Sequence, residues 1–301
     1  MKVLPLMLAA AVAATAAPAV QAATSRMDKI KSAGEITLGY RESSIPFSYL
    51  DDNQKPVGYS MDICYGIVDA LKKDLGMPNL KVKLVSVTSS TRIPLVANGT
   101  VDLACGSATN NAQRQEQVSF APTTFVTATR FTAYKKSNVN DLADFKGKTV
   151  TSTSGTSNLK WLTQTNADKH LGMRIIPAAD HSEAFLTVAN GRASAFFMDD
   201  ILLAGLVANS RDPQDWMISK KAYTVEPYGI IEPKGDVPFK TAVDKAVTAM
   251  MKDGQLEKMY TKWFMSPIPP KNVNLNWPMS SELKKVVANP TDSPDPKAYA
   301  D

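Results

Sequence analysis

From residue 35 onward, apolar and polar positions fall into a repeated strand–helix rhythm. EITLGYR (35–41) is a run of β-formers, and GYSMDICYGIVDALKKDLG (58–76) places Ile63, Ile67, Val68 and Leu71 at helical spacing before the terminator Gly76. LKVKLVSV alternates with the two-residue period of a half-exposed strand. TSSTRIPLVANG predicts a short helix opened by hydroxyls, VDLACGS a strand, NNAQRQEQV a short helix and TTFVTATRFTAY an extended run. A second round follows: GKTVTST, RIIPA and ASAFFMDD as strands, with SNLKWLTQTNADKHLG, HSEAFLTVANG and DILLAGLVANS as helices. Such alternation predicts an α/β fold with parallel-rich sheets flanked by helices.

The segments LVANGTVDLACGS (95–107) and TVANGRASAFFMDD (187–200) echo one another, each an apolar helix end, an Asn-Gly stop and a strand. With the doubled alternation, they point to two lobes of similar build. After Trp216 come the extended run YTVEPYGIIEP and one long helix, FKTAVDKAVTAMMKDGQLEKMYTKWF, which has no strand round of its own and is expected to pack back on the first lobe. The expected organisation is residues 23–127 as the first part of lobe 1, 128–226 as lobe 2, 227–285 as the second part of lobe 1, and 286–301 as a loose tail of turn-formers. Extended crossings near Val126–Arg130 and Tyr223–Tyr228 would serve as the hinge.

The N-terminus carries a different signal. Lys2 is followed by no charge until Arg26, and the Ala-rich apolar stretch between them ends in the small residues Val20 and Ala22. This is the pattern of a cleavable signal peptide, residues 1–22. No Cys stands near the cut to take a lipid, so a freely diffusing periplasmic protein is expected. Export permits a disulfide between Cys64 and Cys105. Two buried thiols are favoured instead, because Cys64 falls in a helix and Cys105 at a strand end.

Composition narrows the chemistry. With 44% apolar and 21% charged residues in 301, the chain is neither disordered nor fibrous. Its two His and two Cys lack metal-ligand spacing, so no metal is expected. No P-loop, no G-x-G-x-x-G after a strand and no G-x-S-x-G occurs, which argues against nucleotide cofactors and a nucleophile elbow. The net charge of +5 is spread among acids. That disfavours nucleic acid as a partner and mildly favours small anions.

In open parallel sheets, ligands sit at strand carboxyl ends beside helix N-termini. Those ends here carry Arg41, Ser89 and Arg92, then Ser107, Thr109 and Arg114, and in the second round Ser157, His181 and Asp199. Taken singly, each has an ordinary reading as a helix cap or a solvated charge. Placed together, Arg forks suit carboxylates, hydroxyls complete an anion's shell, and an Asp seats an ammonium. The set fits a small zwitterion with extra negative charge.

The runs YRESSIPFSYLDD, PVGYSMDI, TSSTRIPLVANGTVDLACGSATNNAQRQEQV, TSGTS, MRIIPAADHSEAF, FFMDDILLAG and KWFMSPIPPKN resemble the periplasmic glutamate/aspartate-binding proteins of ABC importers, within the family 3 solute-binding proteins. The resemblance covers residues 27–290. It implies a two-lobed, type II periplasmic binding protein fold with a cleft ligand, L-glutamate or L-aspartate, and an inner-membrane ABC permease as partner. By the same resemblance Arg114 clamps the α-carboxylate, and Ser107, Thr109 and Ser157 complete the amino-acid head. Asp199 takes the α-ammonium, while Arg41, Ser89, Arg92 and His181 receive the side-chain carboxylate. Phe47 and Tyr49 would form an aromatic wall. No cofactor is expected, and the protein is expected to be a monomer. The competing readings are a periplasmic dehydratase on the same scaffold, using His181 with Asp199, and a ligand-loaded sensor protein.

Overall fold

The computed structural model describes residues 25–299, so the expected signal peptide lies outside the described residues. Among the described residues, no helix is long and apolar enough to cross a membrane.

Two five-stranded sheets repeat one topology. In the first, the order is Lys81–Ser86, Glu35–Tyr40, Leu103–Cys105, Ile231–Pro233, Val118–Phe120. In the second it is Arg174–Ala178, Thr149–Thr153, Phe196–Asp199, Thr129–Tyr134, Trp216–Ile218. The first three strands of each order run parallel, as crossover helices require. The fourth strand is antiparallel to both neighbours in each sheet. Its direction follows from its origin: each fourth strand enters its sheet directly after the chain has crossed from the other lobe. The crossings themselves, Phe125–Thr127 and Glu226–Tyr228, pair antiparallel as a ribbon between the sheets. The α/β architecture with two lobes and two crossings is therefore the one the alternation predicts.

Burial explains the sequence periods. The Tyr59–Leu75 helix buries Ile63, Ile67, Val68 and Leu71 on one face and ends at Gly76, which adopts φ 64°. The Lys81–Ser86 strand lies at a sheet edge with no residue fully buried, hence its polar alternation. The expected long C-terminal helix is two helices, Val237–Lys252 and Gln255–Phe264. They break at Gly254, whose φ of 76° no continuous helix accommodates. Tyr260 and Phe264 of the second helix stack on Phe125 of the hinge ribbon, with centroids 6.0 and 4.9 Å apart.

Two expectations are corrected. Cys64 and Cys105 are not free thiols but a disulfide, with Cα atoms 6.2 Å apart. The long helix lies against the Leu103–Cys105 strand and so brings the two side chains within bridging reach. The tail is not loose. Residues Ser281–Ala288 form a helix that buries Leu283 and Val286. Tyr299 is buried with its hydroxyl 2.9 Å from Thr123 Oγ1, and the Thr291 carbonyl accepts from the Thr123 amide at 2.8 Å. A few apolar side chains among many turn-formers suffice to dock the segment.

Candidate functional site

Contacts across the two lobes bring most of the predicted residues together: Thr109 meets Ser157, Arg114 meets Gly155, and His181 and Asp199 lie within electrostatic reach of Arg92. Arg41, Ser89, Arg92, Ser107, Thr109 and Arg114 come from the first lobe. Ser157, His181 and Asp199 come from the second. Except for half-buried Ser157, all are buried.

Three guanidinium groups dominate the electrostatics. Arg41 follows the Glu35–Tyr40 strand, and its amide is held by the Ser48 hydroxyl at 2.8 Å. Its side chain runs over Gly106, where any Cβ would meet Arg41 Cγ at 2.9 Å. Both Nη atoms of Arg41 are buried without a hydrogen-bond partner among the described residues. Desolvation pulls its pKa down to about 10, against weaker support from Asp180, Tyr228 and Glu42. Arg92 starts its own helix and donates from Nη1 to the Ser107 carbonyl at 2.7 Å, while its Nε has no partner. Burial lowers its pKa strongly, and Arg114 and Arg41 lower it further. Arg114, on the short Ala112–Gln115 helix, is aimed by the Thr109 carbonyl at 2.8 Å and the Gly155 carbonyl at 3.1 Å. Burial lowers its pKa too, opposed by Glu226 and Asp199.

The hydroxyls beside them are not helix caps. Thr91, at the N-cap position, makes no capping bond, and Ser89 Oγ is buried without a partner. The Ser107 hydroxyl reaches Ser44 Oγ at 3.3 Å. Thr109 Oγ1 lies 3.2 Å from Ser157 Oγ, which donates to Glu226 at 2.8 Å. His181 shares a hydrogen with Thr153 Oγ1 through Nδ1 at 2.8 Å, leaving Nε2 buried and unpaired. Desolvation, then Arg41 and Arg92, hold His181 well below the usual imidazole range, so it is neutral. Asp199 accepts from Asn158 at 2.6 Å and from the Tyr228 hydroxyl. Burial and the neighbouring Glu226 push its pKa up to about 8.

His181 and Asp199 are therefore tied to different partners and do not form an acid–base pair. Tyr49 is not part of a wall: its hydroxyl donates to the Pro269 carbonyl at 2.7 Å and its ring packs on Trp263. Phe47 instead backs Tyr228, with ring centroids 5.2 Å apart. Glu226, Tyr228 and Asn158 are absent from the sequence-derived set. A signal did exist for two of them, since Glu226 and Tyr228 lie in the crossing run that borders the cleft.

The two lobes touch across the site through the Arg114–Gly155 and Thr109–Ser157 contacts. A surface opening of about 820 Å³ is lined by Arg114, Gly155, Ser157 and Glu226, among others, but by none of Arg41, Arg92 and His181. We locate the site on the buried donors rather than in the opening, because unpaired buried charge is what demands a ligand. Gly155 marks how close the approach is: at φ 74°, an added Cβ would lie 2.6 Å from Ser90 Cα in the other lobe. Gly155→Ala is expected to weaken ligand binding at least about tenfold, through the penalty of that φ and the blocked closure. Titration calorimetry checks this, and unchanged affinity would show that the lobes need not meet there.

Asp199 also predicts a pH dependence. Its folded pKa of about 8 exceeds the usual 3.8, so the native state holds the proton more tightly. Its contribution to stability is present below the unfolded value and is lost as pH rises from 3.8 through about 8. Glu232, also raised to about 8 by burial, acts in the same direction, and His181 acts oppositely below its ordinary range. In ligand-stripped protein, Asp199→Asn should flatten the fall in Tm between pH 5 and 8, and an unchanged slope would refute the shift.

Two α/β lobes joined by a crossing ribbon, with a buried cationic cluster at their meeting face, define a cleft-binding protein. Residues 36–266 match the bacterial extracellular solute-binding proteins, family 3, and the chain belongs to that family. It is 49% identical over 296 residues to an L-glutamate/L-aspartate-binding protein of Pseudomonas aeruginosa, covering 97% of this chain and 98% of that one. It is 46% identical over 279 residues to a glutamate/aspartate import solute-binding protein of Escherichia coli, covering 93% and 92%. Among solved structures, an ancestral arginine-binding protein bound to arginine superposes with a TM-score of 0.70 at 27% identity, covering 77% of this chain and 98% of that one.

Proposed function

We propose that this protein is the substrate-binding component of an amino-acid ABC importer, capturing L-glutamate or L-aspartate in the interlobe cleft by hinge closure. The observation that carries the reading is the convergence of Arg41, Arg92 and Arg114, with both Nη atoms of Arg41 and Nε of Arg92 buried and without a partner among the described residues. An uncompensated buried charge costs several kcal/mol, and a guest with two carboxylates offsets that cost. The names of the close relatives support the same ligand class. In this reading Arg114, Ser107, Thr109 and Ser157 hold the amino-acid head, and Asp199 takes the ammonium. Arg41, Ser89, Arg92 and His181 take the distal carboxylate, with neutral His181 donating through Nε2. The chain acts as a monomer in the periplasm, after removal of residues 1–22, and delivers its guest to an inner-membrane permease. Lobe 1 comprises residues 23–127 and 227–285, and lobe 2 residues 128–226.

In this reading the protein acts without turnover, which the engagement of His181 with Thr153 rather than with Asp199 supports. NMR of glutamate incubated with the protein should return it unchanged. The decisive test is a thermal-shift panel of the twenty amino acids with dicarboxylates. A ligand at a hundred times its Kd adds about 2.7 kcal/mol of stability. Shifts confined to the acidic amino acids are expected, and no shift with either would overturn the reading.

A further inference from the structure

We propose that Asn110 is a positioning residue for ligand capture: it ties the turn that carries Arg114 to the C-terminal segment, so that residues 289–299 brace the binding cleft. The inference rests on the reading above, in which Arg114 holds the α-carboxylate. Arg114 sits on Ala112–Gln115, a helix of a single turn. A helix that short is not stable by itself, so what holds its guanidinium in place must come from outside it. Asn110 supplies that hold. It is 1% exposed and stands between two residues that act on Arg114. The Thr109 carbonyl accepts from Arg114 Nη1, and the Asn111 side chain caps the helix at the Arg114 amide.

Asn110 reaches in three directions. Its Nδ2 donates to the Asp292 carbonyl at 2.7 Å, its Oδ1 accepts from Gln115 Nε2 at 2.9 Å, and its amide donates to the Pro227 carbonyl of the crossing strand at 2.7 Å. Gln115 Nε2 also reaches the Asp292 carbonyl, at 3.1 Å. Two side-chain amides and one carbonyl thus close a triangle. It joins the residue beside Thr109 to the residue beside Arg114, so both ends of the bond that aims the guanidinium are fixed. The third corner belongs to the tail, which is itself anchored. The Asp292 carboxylate meets Lys240 Nζ at 2.9 Å, and the Thr291 carbonyl accepts from the Thr123 amide. The Tyr299 hydroxyl lies against Thr123 Oγ1 and donates to the Ser293 carbonyl at 2.8 Å. Residues 289–299 fall beyond 36–266, so the brace comes from outside the stretch that matches the family. Because the turn is ordered by the tail, its ordering cost falls on folding rather than on binding.

The test is titration calorimetry of the mature chain with L-glutamate, run as a double-mutant cycle. Asn110→Ala should weaken binding about tenfold. In an Arg114→Ala background the same substitution should change the affinity by less than about twofold, because the group it aims is gone. A role confined to stability would lower Tm and weaken binding equally in both backgrounds. That equal loss, or an unchanged affinity in the single variant, would overturn the inference. Gln115→Ala removes two sides of the triangle from a half-buried position, and the same cycle on it decides the matter if Asn110→Ala does not fold. Tyr299→Ala loosens the tail without touching the turn, and with Arg114 present it should weaken binding about threefold. An affinity unchanged by Tyr299→Ala would overturn the brace. A wild type that binds no acidic amino acid, or an Arg114→Ala variant that binds as tightly as the wild type, would instead overturn the reading of the site on which the inference rests.

Discussion

Arg114→Ala is expected to lower the affinity for L-glutamate about a thousandfold. The guanidinium is buried, and two of its donors are already committed to the carbonyls of Thr109 and Gly155. The Thr109 bond lies within the first lobe and orients the guanidinium before a ligand arrives, so less side-chain freedom is lost on binding. The Gly155 bond comes from the opposite lobe, so that in the proposed reading Arg114 couples capture of the carboxylate to closure. In the proposed reading, truncation removes the ligand bond and the interlobe bond together, and it takes away a cation that Asp199 and Glu226 support. Breaking a buried charge pair in this way costs about 3–5 kcal/mol, which corresponds to roughly a thousandfold in Kd. Titration calorimetry gives the answer directly, and near-normal affinity would remove Arg114 from the head of the site. Arg114→Lys should recover little, since a single ammonium cannot reach two carbonyls and a carboxylate in one plane.

The cleft was legible in the sequence for a specific reason. A parallel strand must be followed by a crossover, and the residues at its carboxyl end then lie beside a helix N-terminus whatever the side chains are. Arg41, Arg92, Ser157, His181 and Asp199 could be read from position alone, because the strand–helix alternation fixes which residues are strand ends. Glu226 and Tyr228 obey no such rule. They sit in a crossing strand whose residues have no preferred direction until both lobes are placed, and an acid beside a proline in an extended run carries no local mark of burial. The Cys64–Cys105 bridge failed for a related reason, since it depends on how the long helix slides along the sheet. The tail failed because Tyr299 docks against Thr123, more than 170 residues away in sequence, and no composition window spans that distance.

Arg41→Met is expected to make the ligand-free protein more stable while it abolishes high affinity for acidic ligands. The two halves of this result have one cause. With the lobes in contact and no anion between them, both Nη atoms of Arg41 are desolvated and have no hydrogen-bond partner among the described residues, and burial lowers the pKa to about 10. A thioether of similar reach fills the space over Gly106 without that penalty. Replacing buried charge with a well-packed apolar group stabilises other proteins by about 1–4 kcal/mol. For a chain of this size each kcal/mol raises Tm by about 2–4 °C. With glutamate present the sign reverses, because the distal carboxylate has lost its fork, and the affinity should fall by roughly a hundredfold or more. L-glutamine, which presents an amide there, should lose far less. Thermal unfolding with and without ligand separates the two terms. A variant that is destabilised when empty would mean that Arg41 is already compensated within the protein, and the demand for an anionic guest would lose its strongest support.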